Sequence, residues 1–141
     1  MRIVLDADVL IGALDASDPH HVQARTLFRR WRAEASDILI SVVNLSEVLV
    51  APAAEPGRLA RAREAVAALG VDVHRPTEAV GVRAARLRHG YPISLADAYC
   101  LATARYADAA LATFDQKVVD VAGTEQLTIA VGSRTRRRRR G

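Results

Sequence analysis

The stretch Ile3-Val4-Leu5-Asp6-Ala7-Asp8-Val9-Leu10-Ile11 places two carboxylates, one residue apart, inside an otherwise apolar run. A short apolar run reads as a buried strand, and one near the N-terminus suits the centre of an α/β sheet. Asp6 and Asp8 then stand at the strand's carboxyl end, the edge where open α/β sheets bind their ligands. A carboxylate beside a hydrophobic strand is unfavourable unless a cation compensates it, and a divalent metal ion is the usual means. A plainer reading has Asp6 ending the strand and Asp8 capping the following helix.

The rest of the chain alternates between the two periodicities. Val9 to Leu14 reads as a short helix. Asp18-Pro19 reads as the N-cap and first residue of a second, with Ala24, Leu27, Phe28 and Trp31 on one face. His20 and His21 fall in its first turn, where a pair could touch phosphate, although a solvated surface pair is the favoured reading. Asp37 to Val43 is a second strand, and Asn44-Leu45-Ser46-Glu47 has the form of a capping box opening a helix that stops before Pro52. A helix from Pro56 to about Leu69, a strand at Val71 to Val73 and a helix capped by Thr77 follow. Ser94-Leu95-Ala96-Asp97 is a second capping-box shape, heading the helix that carries Tyr99, Cys100 and Leu101. Ala110 to Phe114 makes a fourth strand ending in Asp115, and a helical turn leads to a fifth at Leu127 to Val131. Strands alternating with helices require a parallel, doubly wound α/β sheet, here of about five strands flanked by helices. The pattern gives one domain over residues 1–131 and a basic tail over 132–141.

Composition narrows the function classes. Half of the 141 residues are hydrophobic, yet no apolar run is long enough to span a bilayer. Asp6 and Asp8 interrupt what would otherwise resemble a secretory signal, so a cytoplasmic location is expected. Cys100 is the only cysteine, which rules out an intrachain disulfide, and the four histidines lack zinc-ligand spacing. The net charge of +4 is unevenly divided: Arg134, Arg136, Arg137, Arg138, Arg139 and Arg140 carry six positive charges, and without them the body is at −2. Such a block reads as an arm for polyanions.

Four acids share one kind of position. Asp6 follows the first strand, Glu47 lies in the first turn after the second, Asp97 opens a helix and Asp115 follows the fourth strand. All strand ends of one polarity lie on one edge of a parallel sheet, together with helix N-termini that favour anions. Carboxylates without interleaved His or Cys suit hard cations such as Mg²⁺ or Mn²⁺, which clamp phosphodiesters and activate water. Capping alone explains Glu47 or Asp97 singly, at about 0.5–2 kcal/mol each, but not four acids on one edge.

Four segments together resemble the PIN-domain ribonucleases, and among them the VapC toxins of bacterial type II toxin–antitoxin pairs. They are Ile3 to Leu10, Ser41-Val42-Val43-Asn44-Leu45-Ser46-Glu47-Val48, Ser94 to Ala104, and Leu111-Ala112-Thr113-Phe114-Asp115. The resemblance covers Met1 to about Val131. It implies a metal-dependent endoribonuclease acting on RNA through Asp6, Glu47, Asp97 and Asp115 with Mg²⁺ or Mn²⁺, usually as a homodimer. It further implies inhibition by a small VapB-like antitoxin that inserts a segment near the site. Thr113 matches a polar position that orients the fourth acid or a water, and Asn44 is a supporting residue. Asp8 departs from the small hydroxyl or amide residue usual there, and the arginine tail is outside the common pattern. Asp120 ranks below Asp115 as the fourth acid.

Two other classes compete. Asp6-Ala7-Asp8 also resembles the opening of haloacid-dehalogenase-type phosphatases, with Asp6 as nucleophile and Asp8 as general acid. That family needs a lysine well before its last acids, whereas Lys117 follows Asp115. A non-catalytic PIN-fold interaction module is the other alternative, although a binding surface has no need of mutually repelling carboxylates. For the tail, truncation after Gly132 is expected to weaken RNA binding and flatten its salt dependence, by about 0.7 in log–log slope for each phosphate no longer neutralised, while metal-dependent turnover persists. A filter-binding series over a range of salt concentrations checks this.

Overall fold

The computed structural model describes residues 1–130; the arginine tail and Val131 lie outside the described residues. Four parallel strands, β1 (Arg2–Leu5), β2 (Asp37–Ser41), β3 (Val71–His74) and β4 (Ala110–Ala112), form one sheet in the order β3-β2-β1-β4. The aspartate-flanked apolar run is thus a central strand. β1 pairs Ile3 with Ile38 on one side and Val4 with Leu111 on the other.

Alternation along the strands divides the interior into two layers, because successive strand side chains face opposite sides of the sheet. Ile3, Leu5, Ile38 and Ile40 join a core with α1 (Ala7–Leu14), α2 (His21–Ala33), Val48 of α3 (Val42–Leu49) and Val66 of α4 (Pro56–Ala68). Val4 and Leu111 join the opposite core with α5 (Glu78–Gly90), α6 (Leu95–Ala107) and α7 (Gln116–Thr124). Both sheet faces are covered, as the near-continuous apolar strands require.

Most expected elements are present, with five corrections, of which the simplest is that the fourth strand stops at Ala112 rather than Phe114. The segment after α7 is not a fifth strand: within the described residues it makes one parallel bridge, Ile129 to Leu111, with Leu111 N–H donating to Thr128 O and Ala130 N–H to Leu111 O. The second strand ends at Ser41 rather than Val43, because the Ser41 hydroxyl accepts from Val43 N–H and starts α3 there. Asn44 and Glu47 therefore lie inside α3 and form no capping box. Lastly, α2 starts at His21, because Asp18 closes a turn by accepting from His20 N–H at 2.8 Å instead of capping the helix.

Trp31 is the largest fully buried side chain and meets Phe28 edge-on, ring centroids 5.2 Å apart. Trp31→Ala is expected to destabilise the fold by about 3–5 kcal/mol, read as a lowered urea midpoint at unchanged m-value.

Candidate active site

Asp6 is the single residue between β1 and α1, so the end of the strand and the cap of the helix are one side chain. Its backbone N–H donates to Ala112 O at 2.8 Å, which fixes it against the end of β4. One carboxylate oxygen accepts from Ala7 N–H at 2.8 Å and the other from the Thr113 hydroxyl at 2.8 Å. The residue is only 4% exposed. Burial raises its pKa to about 7; the Asp8 charge adds to the rise and Asp97 contributes further, against the bonds from Thr113 and Ala7.

Thr113, itself buried, links two acids: it donates to Asp6 and its oxygen accepts from Asp115 N–H at 3.1 Å. Asp115 in turn caps α7 by accepting from Lys117 N–H. Asp8, in the first turn of α1, accepts from Phe114 N–H at 3.0 Å through Oδ2, while its buried Oδ1 has no partner among the described residues. Burial lifts its pKa to about 6, with the Asp115 charge adding and the backbone bonds from Phe114 and Val9 opposing.

Asp97 both caps and converges. Its carboxylate accepts from Ser94 N–H at 3.2 Å while Asp97 N–H donates to the Ser94 hydroxyl at 3.0 Å, a complete capping box. It also faces Asp6 closely enough to raise that pKa. Glu47 is exposed on α3 and reaches the group through Asn44, whose buried amide donates to Glu47 Oε1 at 3.2 Å and to Ala96 O at 3.0 Å. Asn44 thus joins α3 to the first turn of α6. Behind them the Cys100 thiol donates to Leu5 O, and burial, followed by the charges of Asp6, Asp8, Asp97 and Glu47, pushes its pKa well up. Four of the five acids thus act on one buried thiol, and Asp115 joins the group through Thr113 and through its charge on Asp8. Asp120 stays apart: it is exposed and accepts from the Gln116 side chain.

His20 was not marked by its sequence context as a neighbour of this group. It stacks on Phe114, ring centroids 4.4 Å apart, and a positive charge on it would oppose the rise at Asp8. Its proximity to Phe114, 94 residues later in the chain, has no local signal. His21 is turned inward, its Nδ1 2.8 Å from Gly12 O.

The donor set is compatible with a hard divalent cation. Among the described residues no three His, Cys, Asp or Glu side chains enclose a site unaided, but Mg²⁺ commonly takes only one or two carboxylates and keeps several waters. A buried carboxylate pair with raised pKa values and one partnerless oxygen, Asp8 Oδ1, is a place where positive charge is missing.

That deficit makes stability depend on pH. Asp6 and Asp8 titrate in the folded chain above the ordinary 3.8, so the folded state keeps protons that the unfolded chain has already released. The stability they contribute is fully present below about pH 4 and is lost as pH rises through about 6 and 7. In EDTA the melting temperature of the parent should therefore fall between about pH 4 and pH 7, and Asp6→Asn should flatten the decline. Identical profiles for the two proteins, measured by thermal melts in parallel buffers, would contradict the buried-acid account.

Residues 3–124 match the family model described as the PIN domain. No curated protein is significantly similar in sequence. Among solved structures, a toxin–antitoxin complex from Klebsiella pneumoniae superposes with a TM-score of 0.70 at 25% identity, covering 89% of this chain and 95% of the other. A Mycobacterium tuberculosis VapC toxin, described as cleaving the sarcin–ricin loop, gives a TM-score of 0.65 at 23% identity over 84% and 94% of the two chains. The FitAcB structure from Neisseria gonorrhoeae gives 0.67 at 21% over 90% and 95%. With 122 consecutive positions under one family model, the chain belongs to the PIN-domain family.

Proposed function

We propose that this chain is a metal-dependent endoribonuclease and the toxin of a type II toxin–antitoxin pair. The observation that carries the reading is the carboxylate group itself: Asp6 is buried and anchored by Thr113, coupled to Asp8 and Asp97, and tied through Thr113 to Asp115. Membership of the PIN family supports nuclease chemistry, and the likeness to a toxin–antitoxin complex at 25% identity supports the biological setting. The family assignment replaces the phosphatase alternative.

In this reading Asp6, Asp97, Asp115 and Glu47 would hold Mg²⁺ or Mn²⁺, directly or through water, with Asp8 Oδ1 turned to the same space. The bound ion supplies charge for the scissile phosphate and lowers the pKa of a water. The chain's own contribution is placement. Asp6 cannot rotate without breaking two hydrogen bonds, Asp97 is locked by Ser94, and Thr113 couples Asp6 to the backbone of Asp115. Glu47, exposed and steered by Asn44, is the acid free to orient a water. RNA is the substrate, a VapB-like antitoxin the inhibitor and a homodimer the working form. The arginines at 134 and 136–140 add phosphate contacts.

Cleavage of RNA should stop in EDTA and return on adding Mg²⁺ or Mn²⁺; undiminished cutting in excess EDTA would overturn the mechanism. Asp97→Asn is the sharper test. Asparagine keeps an oxygen to accept from Ser94 N–H, so the cap persists while one repelling charge is removed. The variant should melt in EDTA at or above the parent's temperature near neutral pH, gain little from Mn²⁺, and lose at least about a hundredfold in cleavage, roughly 2.7 kcal/mol of transition-state stabilisation. A variant that melts lower in EDTA yet gains fully from Mn²⁺ and cuts RNA would leave Asp97 with capping alone.

A further inference from the structure

The residue just before α2, His20, lies flat on Phe114 with an angle of 14° between the rings. Phe114 covers one face of the imidazole, yet 46% of the His20 side chain is exposed, so its opposite face is open to solvent. The ring is held from several sides. His20 N–H donates to Asp18 Oδ1 at 2.8 Å, and Nδ1 lies 3.6 Å from the same oxygen. The backbone also packs on α1 so closely that a Cβ at Gly12 would come within 3.5 Å of both His20 Cβ and His20 O. Phe114 is fixed by its own N–H on Asp8 Oδ2 and lies between Thr113 and Asp115 in the chain. A rigid two-ring stack with a free outer face therefore borders the carboxylates.

We propose that His20 is a base-stacking platform, seating one nucleobase of the RNA on its open face so that the adjoining phosphate lies over the carboxylate group. The inference rests on the endoribonuclease reading and adds to it a positioning residue. The surroundings supply the reason. Five acids gather at this edge and repel a phosphodiester, so attraction for the nucleotide has to come from something other than their charge. Every base has a π face, and unstacked bases of single-stranded RNA bind on aromatic side chains irrespective of sequence. A ring that served only to latch α2 to the end of β4 would need one covered face; here the second is presented to solvent beside the site.

Steady-state cleavage of a short single-stranded RNA containing the bond cut by the parent tests this, together with copies carrying one abasic nucleotide at each position around that bond. His20→Ala should raise KM on the order of tenfold with kcat within about twofold, and His20→Trp should restore KM. At one position the abasic copy should cost the parent the same factor and cost His20→Ala nothing more. Equal losses for His20→Ala on intact and on every abasic RNA, or an unchanged KM, would reduce the stack to a latch. Melting temperatures in Mg²⁺ separate a folding defect from lost stacking, since His20→Trp and the abasic copies on the parent decide the matter even if His20→Ala is unstable. A parent that cuts no RNA would sink the endoribonuclease reading and the platform with it; a parent that cuts, with His20→Ala indistinguishable from it, sinks the platform alone.

Discussion

The hydrogen bond from the Thr113 hydroxyl to Asp6 Oδ2 connects the neighbouring strands β1 and β4 at the point where each ends. Its geometry is available only because β1 and β4 are neighbours in register, Leu5 beside Ala112, so that the next residue on each side meets its counterpart. The same hydroxyl oxygen then accepts from Asp115 N–H, and Asp115 starts α7. One small side chain thereby sets the orientation of a buried acid and the exit of a helix. Replacing it with an isosteric valine would remove both bonds and leave Asp6 with one fewer donor at a nearly buried position.

The packing that buries Asp6 works against the ionised form that the proposed chemistry needs. Ile3, Val4 and Leu5 are wholly buried and exclude solvent from the strand, which is what lifts the carboxyl toward neutrality. Hydrogen bonds from Ala7 and Thr113 recover part of the ionisation, and a cation would recover the rest. Folding and metal affinity draw on the same electrostatic imbalance, so a site strained when empty is one that gains most on loading. Cys100 shows the other side of this: a thiol behind such a group stays protonated, chemically quiet and suited to packing.

Local chemistry in the sequence made much of this legible. The apolar run before Asp6, the Ser94–Asp97 capping box, the Thr77 cap and the Pro56 helix start all behave as their residue types dictate, because each is settled within one turn of chain. Asn44-Leu45-Ser46-Glu47 misled for a physical reason: a spacing of three residues makes a capping box at a helix start and an ordinary side-chain pair one turn inside, and Ser41 had already taken the cap. The last apolar segment has a strand's composition but, within the described residues, only one bridge to Leu111, since β4 itself is three residues long and offers little edge to pair with. The His20–Phe114 stack and the Asn44–Ala96 bond join residues far apart in sequence, where periodicity and capping are silent.

Two of the strand-to-helix connections at this edge have almost no length. Asp6 alone separates β1 from α1, and Ser41 is at once the last residue of β2 and the cap of α3. An inserted residue at either junction would turn the following helix by about 100° and advance it by about 1.5 Å, carrying Asp8 or Glu47 away from the edge they share. The turns after α2 and α4, at the opposite edge, hold Ala35 and Gly70 in left-handed conformation on the surface. At the Asp6 and Ser41 junctions no turn stands between strand and helix to absorb a change in length, so a single side chain serves as connector and cap, and at Asp6 as acid too.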